Sequence, residues 1–153
     1  IPDFLFVVVG AGYASEKLKN MMHERKLENH VLWVGWVDHT DIFNYFGISK
    51  IGLIPHLVSD HVATTIPNKI FDYMLMGLPV IASDAPPMKR ILTEEKCGLT
   101  FKSGDAEDLS RAIVEVKAST IDYGNNGKEA VRTKYNWSED EKSLINVVTM
   151  FDS

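Results

Sequence analysis

Residues 66–83 read Ile66-Pro67-Asn68-Lys69-Ile70-Phe71-Asp72-Tyr73-Met74-Leu75-Met76-Gly77-Leu78-Pro79-Val80-Ile81-Ala82-Ser83. This stretch decides the fold. Pro67 suits the first turn of a helix, where its missing N–H costs nothing. Ile70 and Met74, and Phe71 and Leu75, are i, i+4 pairs, so one wide face of that helix is apolar. The helix is expected to reach about Met76 and to stop at Gly77. Pro79 to Ser83 then reads as a strand.

The same rhythm continues in both directions. Upstream, Phe4 to Val9 is a β-branched and aromatic run of the kind found in a strand buried on both faces. Gly10-Ala11-Gly12 ends it, and Ser15 is expected to cap a helix reaching about Leu27. Val31 to Val34 is a second strand, closed by Gly35. Asp38 can cap a helix near 41–46, and Ile51 to Pro55 is a third strand. A loop rich in His, Thr and Ser follows, from His56 to Thr65.

Downstream, Pro86 and Pro87 introduce a short helix to about Leu92, and Leu99 to Lys102 is a weak strand. A helix opens at Asp105, with Leu109, Ala112, Ile113 and Val116 on its core side. Two more helices are expected near 121–135 and 138–151. Trp137 lies between them and is expected to pack as an anchor. Alternation of this kind predicts an α/β fold, a Rossmann-like parallel sheet of about five or six strands flanked by helices on both faces. Ligands of such sheets bind outside the carboxyl ends of the strands. That rule selects residues 10–13, 36–37 and 56–69.

Composition agrees and excludes other classes. The chain has 153 residues, 45% hydrophobic and 24% charged, with 16 basic and 21 acidic side chains and a net charge of −5. One domain over 1–153 is expected. A disordered chain is excluded, and the acidic balance argues against a general nucleic-acid binder. No apolar run approaches the ~18 residues of a membrane span. The single cysteine, Cys97, cannot form an internal disulfide, which predicts a reducing, cytoplasmic setting. The chain opens Ile1-Pro2-Asp3 directly before a strand, so a piece of a longer polypeptide is expected.

Two segments carry candidate chemistry. Gly10-Ala11-Gly12 follows a strand as phosphate loops do. It lacks the third glycine of a dinucleotide fingerprint and equally fits a tight strand-to-helix turn. The helix after Ile66 presents free N–H groups and a positive dipole end at its start, which suits a phosphate or diphosphate. Lys69 lies in its first turn. Asp72, three residues on, shares that side of the helix, and its carboxylate has the lone pairs to accept both hydroxyls of a ribose diol. A solvated Lys69–Asp72 ion pair fits the same spacing. His56 and His61 share one loop with only Asp60 between them, so no metal set is expected; His56 or His61 is a candidate substrate contact, and a plain surface-loop histidine fits the same position. Cys97 has no implied base and reads as structural. Glu94-Glu95-Lys96 reads as a charged surface turn.

These residues resemble the C-terminal, donor nucleotide-sugar-binding half of a group 1 (family 4) glycosyltransferase of the GT-B fold. The resemblance runs through Phe4–Gly12, Val31–Val37, Ile66–Ser83, Cys97–Leu99, Gly104–Ile113 and Tyr135-Asn136-Trp137. The block from Pro67 to Ser83 is its specific part. The resemblance implies transfer of a sugar from a nucleoside-diphosphate sugar to a glycan or lipid-linked acceptor, with retention, without a bound metal or other cofactor, and in polysaccharide biosynthesis. By motif position it puts Asp72 on the ribose hydroxyls and the backbone of Asn68 and Lys69 on the diphosphate. Gly10 and Gly12 fall near the phosphates, Trp36 and Val37 beside the base, and His56, Thr64 and Thr65 in the donor loop.

The departures shape the expectation. Thr64 stands where the family has its first carboxylate, and Asp72 is one methylene shorter than the usual Glu. The family's Arg and Lys for the diphosphate would precede Ile1, as would the acceptor-binding N-terminal half and one strand–helix unit. The chain is therefore expected to bind nucleotide weakly and not to transfer sugar alone. The full-length protein is expected to be cytoplasmic, with a peripheral contact to the inner membrane face, and no nucleic-acid partner is expected. A sugar-nucleotide epimerase-like half and a non-catalytic nucleotide-binding module remain as alternatives.

Overall fold

The computed structural model describes residues 4–151. Its contacts divide the chain into two compact units that meet in sequence between Gly47 and Ile48. Each is described by itself.

The first unit contains β1 (Phe6–Val9), α1 (Ser15–Glu24) and β2 (Val31–Gly35), and most of α2 (Ile42–Ile48). β1 and β2 are parallel, with Phe6 opposite Val31 and an irregularity between Val8 and Val9. The Gly10 N–H donates to the Gly35 carbonyl at 2.7 Å, carrying the ladder one step past β1. Both glycines then turn at positive φ, 137° and 89°, which residues with a Cβ rarely adopt. The expectation that residues 4–9 are buried on both faces is not met. Phe4, Leu5 and Phe6 are exposed and Val7 to Val9 half-buried. Within this unit α1 buries none of its residues and α2 buries only Phe46. Ser15 is also not a cap. It is the first helical residue, and its Oγ accepts the Gly12 N–H at 2.9 Å, bonding back to the glycine turn.

The second unit contains β3 (Gly52–Ile54), α3 (Lys69–Leu75), β4 (Val80–Ser83), α4 (Pro86–Glu94) and β5 (Gly98–Phe101). α5 (Ala106–Ala118), α6 (Tyr123–Thr133) and α7 (Trp137–Phe151) follow. The strands are parallel in the order β3-β4-β5. All four residues of β4 are buried. Successive strand side chains point to opposite faces, and here both faces are covered. Ile54, Val80 and Ala82 join one core cluster with Ile70 and Met74 of α3 and Met88, Ile91 and Leu92 of α4. Leu53, Ile81 and Phe101 join another with Leu109, Ala112 and Val116 of α5. Helices on both faces of a parallel sheet are the α/β arrangement expected. Each fully buried Ile contributes ~1.5–3 kcal/mol relative to exposure. The five described strands are hydrogen-bonded as two sets, β1–β2 and β3–β4–β5.

Local chemistry sets the helix ends. Asp105 caps α5, its carboxylate accepting the N–H groups of Glu107 and Asp108. Pro86 opens α4 at its first position. Pro67 lies just outside α3 rather than in it: Asn68 is the N-cap, and the Ile70 N–H closes a turn onto the Pro67 carbonyl at 3.1 Å. α3 ends where Gly77 was expected to end it. At φ 73° Gly77 donates to the Met74 carbonyl, and Leu78 donates to that of Tyr73. That bond pair is a Schellman motif.

Trp137 does not anchor the last two helices. It begins α7 and is 69% exposed, as are Leu144, Ile145, Val147, Val148 and Met150 to lesser or greater extents. Among the described residues no helix is long and apolar enough to cross a membrane. Cys97 is fully buried in the first cluster. Burial, then the charge of Glu95, pushes its thiol up to about 12. The thiolate is the nucleophile, so at pH 8 Cys97 is expected to stay unmodified by a thiol reagent until denaturant is added. Rapid modification of the folded chain would contradict that.

Candidate functional site

In the second unit the candidate residues follow the carboxyl end of β3 and lead into α3. His56 is half-buried one residue beyond Pro55. Burial, then the positive charge of Lys69, holds its imidazole below the usual histidine range. His56 and Lys69 lie thirteen positions apart, at the two ends of the loop that leads into α3. The loop between them is internally tied. Val62 N–H donates to Ser59 Oγ at 3.3 Å. Thr65 Oγ donates to the His61 carbonyl at 2.9 Å, and Thr64 Oγ reaches the carbonyls of Asp60 and His61 at 3.2 and 3.1 Å. Thr64 is exposed and spends its hydroxyl proton within the loop. Its remaining capacity is as an acceptor.

At the start of α3, Phe71 and Asp72 donate to the Asn68 carbonyl and Ile70 to that of Pro67. Among the described residues the N–H groups of Asn68 and Lys69 meet no acceptor, and the Asn68 side chain makes no capping bond. The Lys69 ammonium and the half-buried Asp72 carboxylate likewise have no hydrogen-bond or ion-pair partner there. The Lys69–Asp72 pair that the spacing allowed is therefore not formed. Two backbone donors, one ammonium and one carboxylate stand uncommitted within one turn among the described residues.

In the first unit Gly10 and Gly12 form the turn after β1, and Trp36 and Val37 follow β2. The parallel register puts both segments at the same end of the pair. Trp36 is 72% exposed and Val37 half-buried. A concavity of about 270 Å³ opens at this turn, bounded by Gly10 to Ser15 with Val8, Leu18 and Trp33. A Cβ on Gly12 would meet nothing within 4 Å, so its use is open space or backbone approach rather than packing.

Three tertiary features escaped sequence reasoning. Asp84 and Ser103 link the loops after β4, β5 and β3 through hydrogen bonds of 3.0 and 2.9 Å. Glu95, read as part of a surface turn, accepts from Lys134 Nζ at 2.5 Å and Tyr135 OH at 3.0 Å. Ser83 Oγ, at the end of β4, is buried without a hydrogen-bond partner among the described residues. No group of three His, Cys, Asp or Glu side chains among the described residues is placed to hold a metal ion.

A family model described as glycosyl transferases group 1 matches residues 1–136. The amylovoran biosynthesis glycosyltransferase AmsK of Erwinia amylovora is 26% identical over 120 residues, covering 78% of this chain and 30% of that protein. The UDP-Gal:alpha-D-GlcNAc-diphosphoundecaprenol alpha-1,3-galactosyltransferase of Escherichia coli is 29% identical over 117 residues, covering 76% and 28%. The solved structure of Anabaena Alr3699/HepE in complex with UDP superposes with a TM-score of 0.83 at 17% identity, over 98% of this chain and 42% of that one. The chain spans about a third of the length of the curated relatives it matches.

Proposed function

This chain belongs to the group 1 glycosyl transferases, and on that premise we propose that it is the donor-binding half of an enzyme that moves a sugar from a nucleoside-diphosphate sugar. The observation that carries the reading is the set of uncommitted groups at the start of α3. The N–H groups of Asn68 and Lys69, with the Lys69 ammonium, face the diphosphate. Preorganised donors of this kind stabilise the charge that develops on a leaving diphosphate and need no reorganisation as it forms. On this reading they do so without a bound metal. The Asp72 carboxylate accepts the two ribose hydroxyls. His56, Thr64 and Thr65 border the donor sugar, and Thr64 serves there as a neutral acceptor where the family has a carboxylate. For the first unit, taken by itself, the reading assigns Gly10 and Gly12 to phosphate and Trp36 and Val37 to the base.

Retention at the anomeric carbon and a glycan or lipid-linked acceptor complete the proposal. The amylovoran and diphosphoundecaprenol named for the two relatives support an acceptor of that class. Acceptor binding belongs to the remainder of the full-length protein.

Thermal unfolding with UDP, GDP, ADP and their sugars tests the donor assignment. A ligand at ~100 times its dissociation constant stabilises by roughly 2.7 kcal/mol, a shift on the order of 5–10 °C at this size. One diphosphate is expected to give such a shift and the others little. No shift with any of them, in a full-length protein as well as in this chain, would overturn the reading.

A further inference from the structure

Three loops leave the carboxyl edge of the second unit's sheet, after β3, β4 and β5, and two polar side chains join them. The N–H of Val58 donates to Ser103 Oγ at 2.9 Å, across 45 positions of sequence. The N–H of Ser103 in turn donates to Asp84 Oδ1 at 3.0 Å. Leu57 rests on the same turn, its Cδ2 3.6 Å from where a Cβ on Gly104 would lie.

The anchor end of this relay is firm. Lys102 N–H donates to Asp108 Oδ2 at 2.6 Å. Asp105 caps α5 directly behind it. From Ser59 to Thr65 the side-chain bonds of the loop after β3 close onto its own backbone. Val62 packs against the first core cluster, and Ser103 supplies the side-chain hydrogen bond that ties the start of this loop to the turn after β5. His56 lies two residues before the tied N–H of Val58.

We propose that Ser103 and Asp84 are positioning residues for the sugar-nucleotide site: they hold the start of the loop after β3, which carries His56, against the turns after β4 and β5. The inference rests on the donor-site reading above, but neither residue touches ligand. Binding then does not have to order the loop, which is the general benefit of preorganisation. Both hydrogen bonds lie at the surface, and such bonds contribute little to global stability. Their effect is therefore expected in the site rather than in the melting temperature.

Ser103→Ala, Asp84→Ala and Asp84→Asn test this in the present chain. Asp84→Asn keeps a carbonyl oxygen to accept the Ser103 N–H. The His56 titration, followed by NMR without ligand, reads the loop. In both alanine variants the imidazole should gain water and lose the nearby Lys69 charge, so its titration should move up toward the ordinary histidine range. Affinity for whichever of UDP, GDP and ADP the wild type binds, by calorimetry, should fall roughly 2- to 10-fold in them. Asp84→Asn should restore both readouts, and all three variants should melt within a few degrees of wild type. A His56 titration unchanged in both alanine variants, or equal damage by Asp84→Asn and Asp84→Ala, would overturn the relay. Absence of binding of UDP, GDP and ADP alike, by a full-length protein as well as by this chain, would instead overturn the donor-site reading, while the ligand-free titration still decides whether the relay holds the loop.

Discussion

Asp72→Ala is expected to weaken UDP binding at least roughly thirtyfold, about 2 kcal/mol, while leaving the fold nearly unchanged. A hydrogen bond to a charged acceptor contributes about 1.5–3 kcal/mol, and a ribose diol offers two to one carboxylate. The lower end of that range is the safer expectation, because the two share an acceptor group and do not add in full. The fold should hardly notice. Among the described residues the carboxylate has no hydrogen-bond or ion-pair partner, and α3 is fastened by the fully buried Ile70 and Met74. What the substitution removes from the free chain is a negative charge in the first turn of α3, ~0.3–1 kcal/mol of dipole interaction. A ligand lacking the 2′-hydroxyl separates the diol contact from a general charge effect. Wild type should bind 2′-deoxy-UDP distinctly more weakly than UDP, and the Asp72→Ala chain should scarcely tell them apart. Equal binding of the two ligands by wild type would remove Asp72 from the ribose.

That Lys69 and Asp72 share one helical turn was legible in the sequence because a helix fixes what spacing means. The glycine stop at Gly77 and the helix start at Asp105 were legible for the same reason, since each acts within a few residues of itself. β4 was legible because a strand buried on both faces is apolar at every position, and Val80 to Ala82 are. The same argument misread residues 4–6. A β-branched and aromatic run reports strand propensity, but burial depends on what the fold lays over it. Trp137 failed likewise: its size predicted packing, and its place at the head of α7 leaves it in solvent. The site's supports were illegible on other grounds. Val58 and Ser103 lie 45 positions apart, and Glu95 and Lys134 lie 39 apart. No periodicity links them, and only the parallel register of β3, β4 and β5 brings the first pair together. Thr64 is an intermediate case. Its position was fixed by motif, but that its hydroxyl proton is spent on the Asp60 and His61 carbonyls needed coordinates.

Gly98→Ala should be the most disruptive single-methyl change in the chain, costing at least about 3 kcal/mol. Gly98 opens β5 opposite Val80. A Cβ there would lie 1.8 Å from the Val80 carbonyl oxygen and 2.7 and 2.9 Å from its carbonyl carbon and nitrogen. Those are backbone atoms of the central strand, and Val80 is fully buried, so no side chain can rotate away. Relief requires β4 and β5 to part where the Val80 N–H donates to the Cys97 carbonyl at 3.0 Å. At this size the cost corresponds to a fall in melting temperature on the order of 6–12 °C. Gly47→Ala is the matched control. Gly47 lies inside α2, at ordinary φ, and a Cβ there meets nothing within 4 Å. Replacing a helical glycine of that kind should stabilise by roughly 0.5–1 kcal/mol. The two glycines differ in what surrounds them, not in residue type. Opposite signs of the shift are therefore the expected result, and a Gly98→Ala chain melting within about a degree of wild type would contradict the close β4–β5 approach.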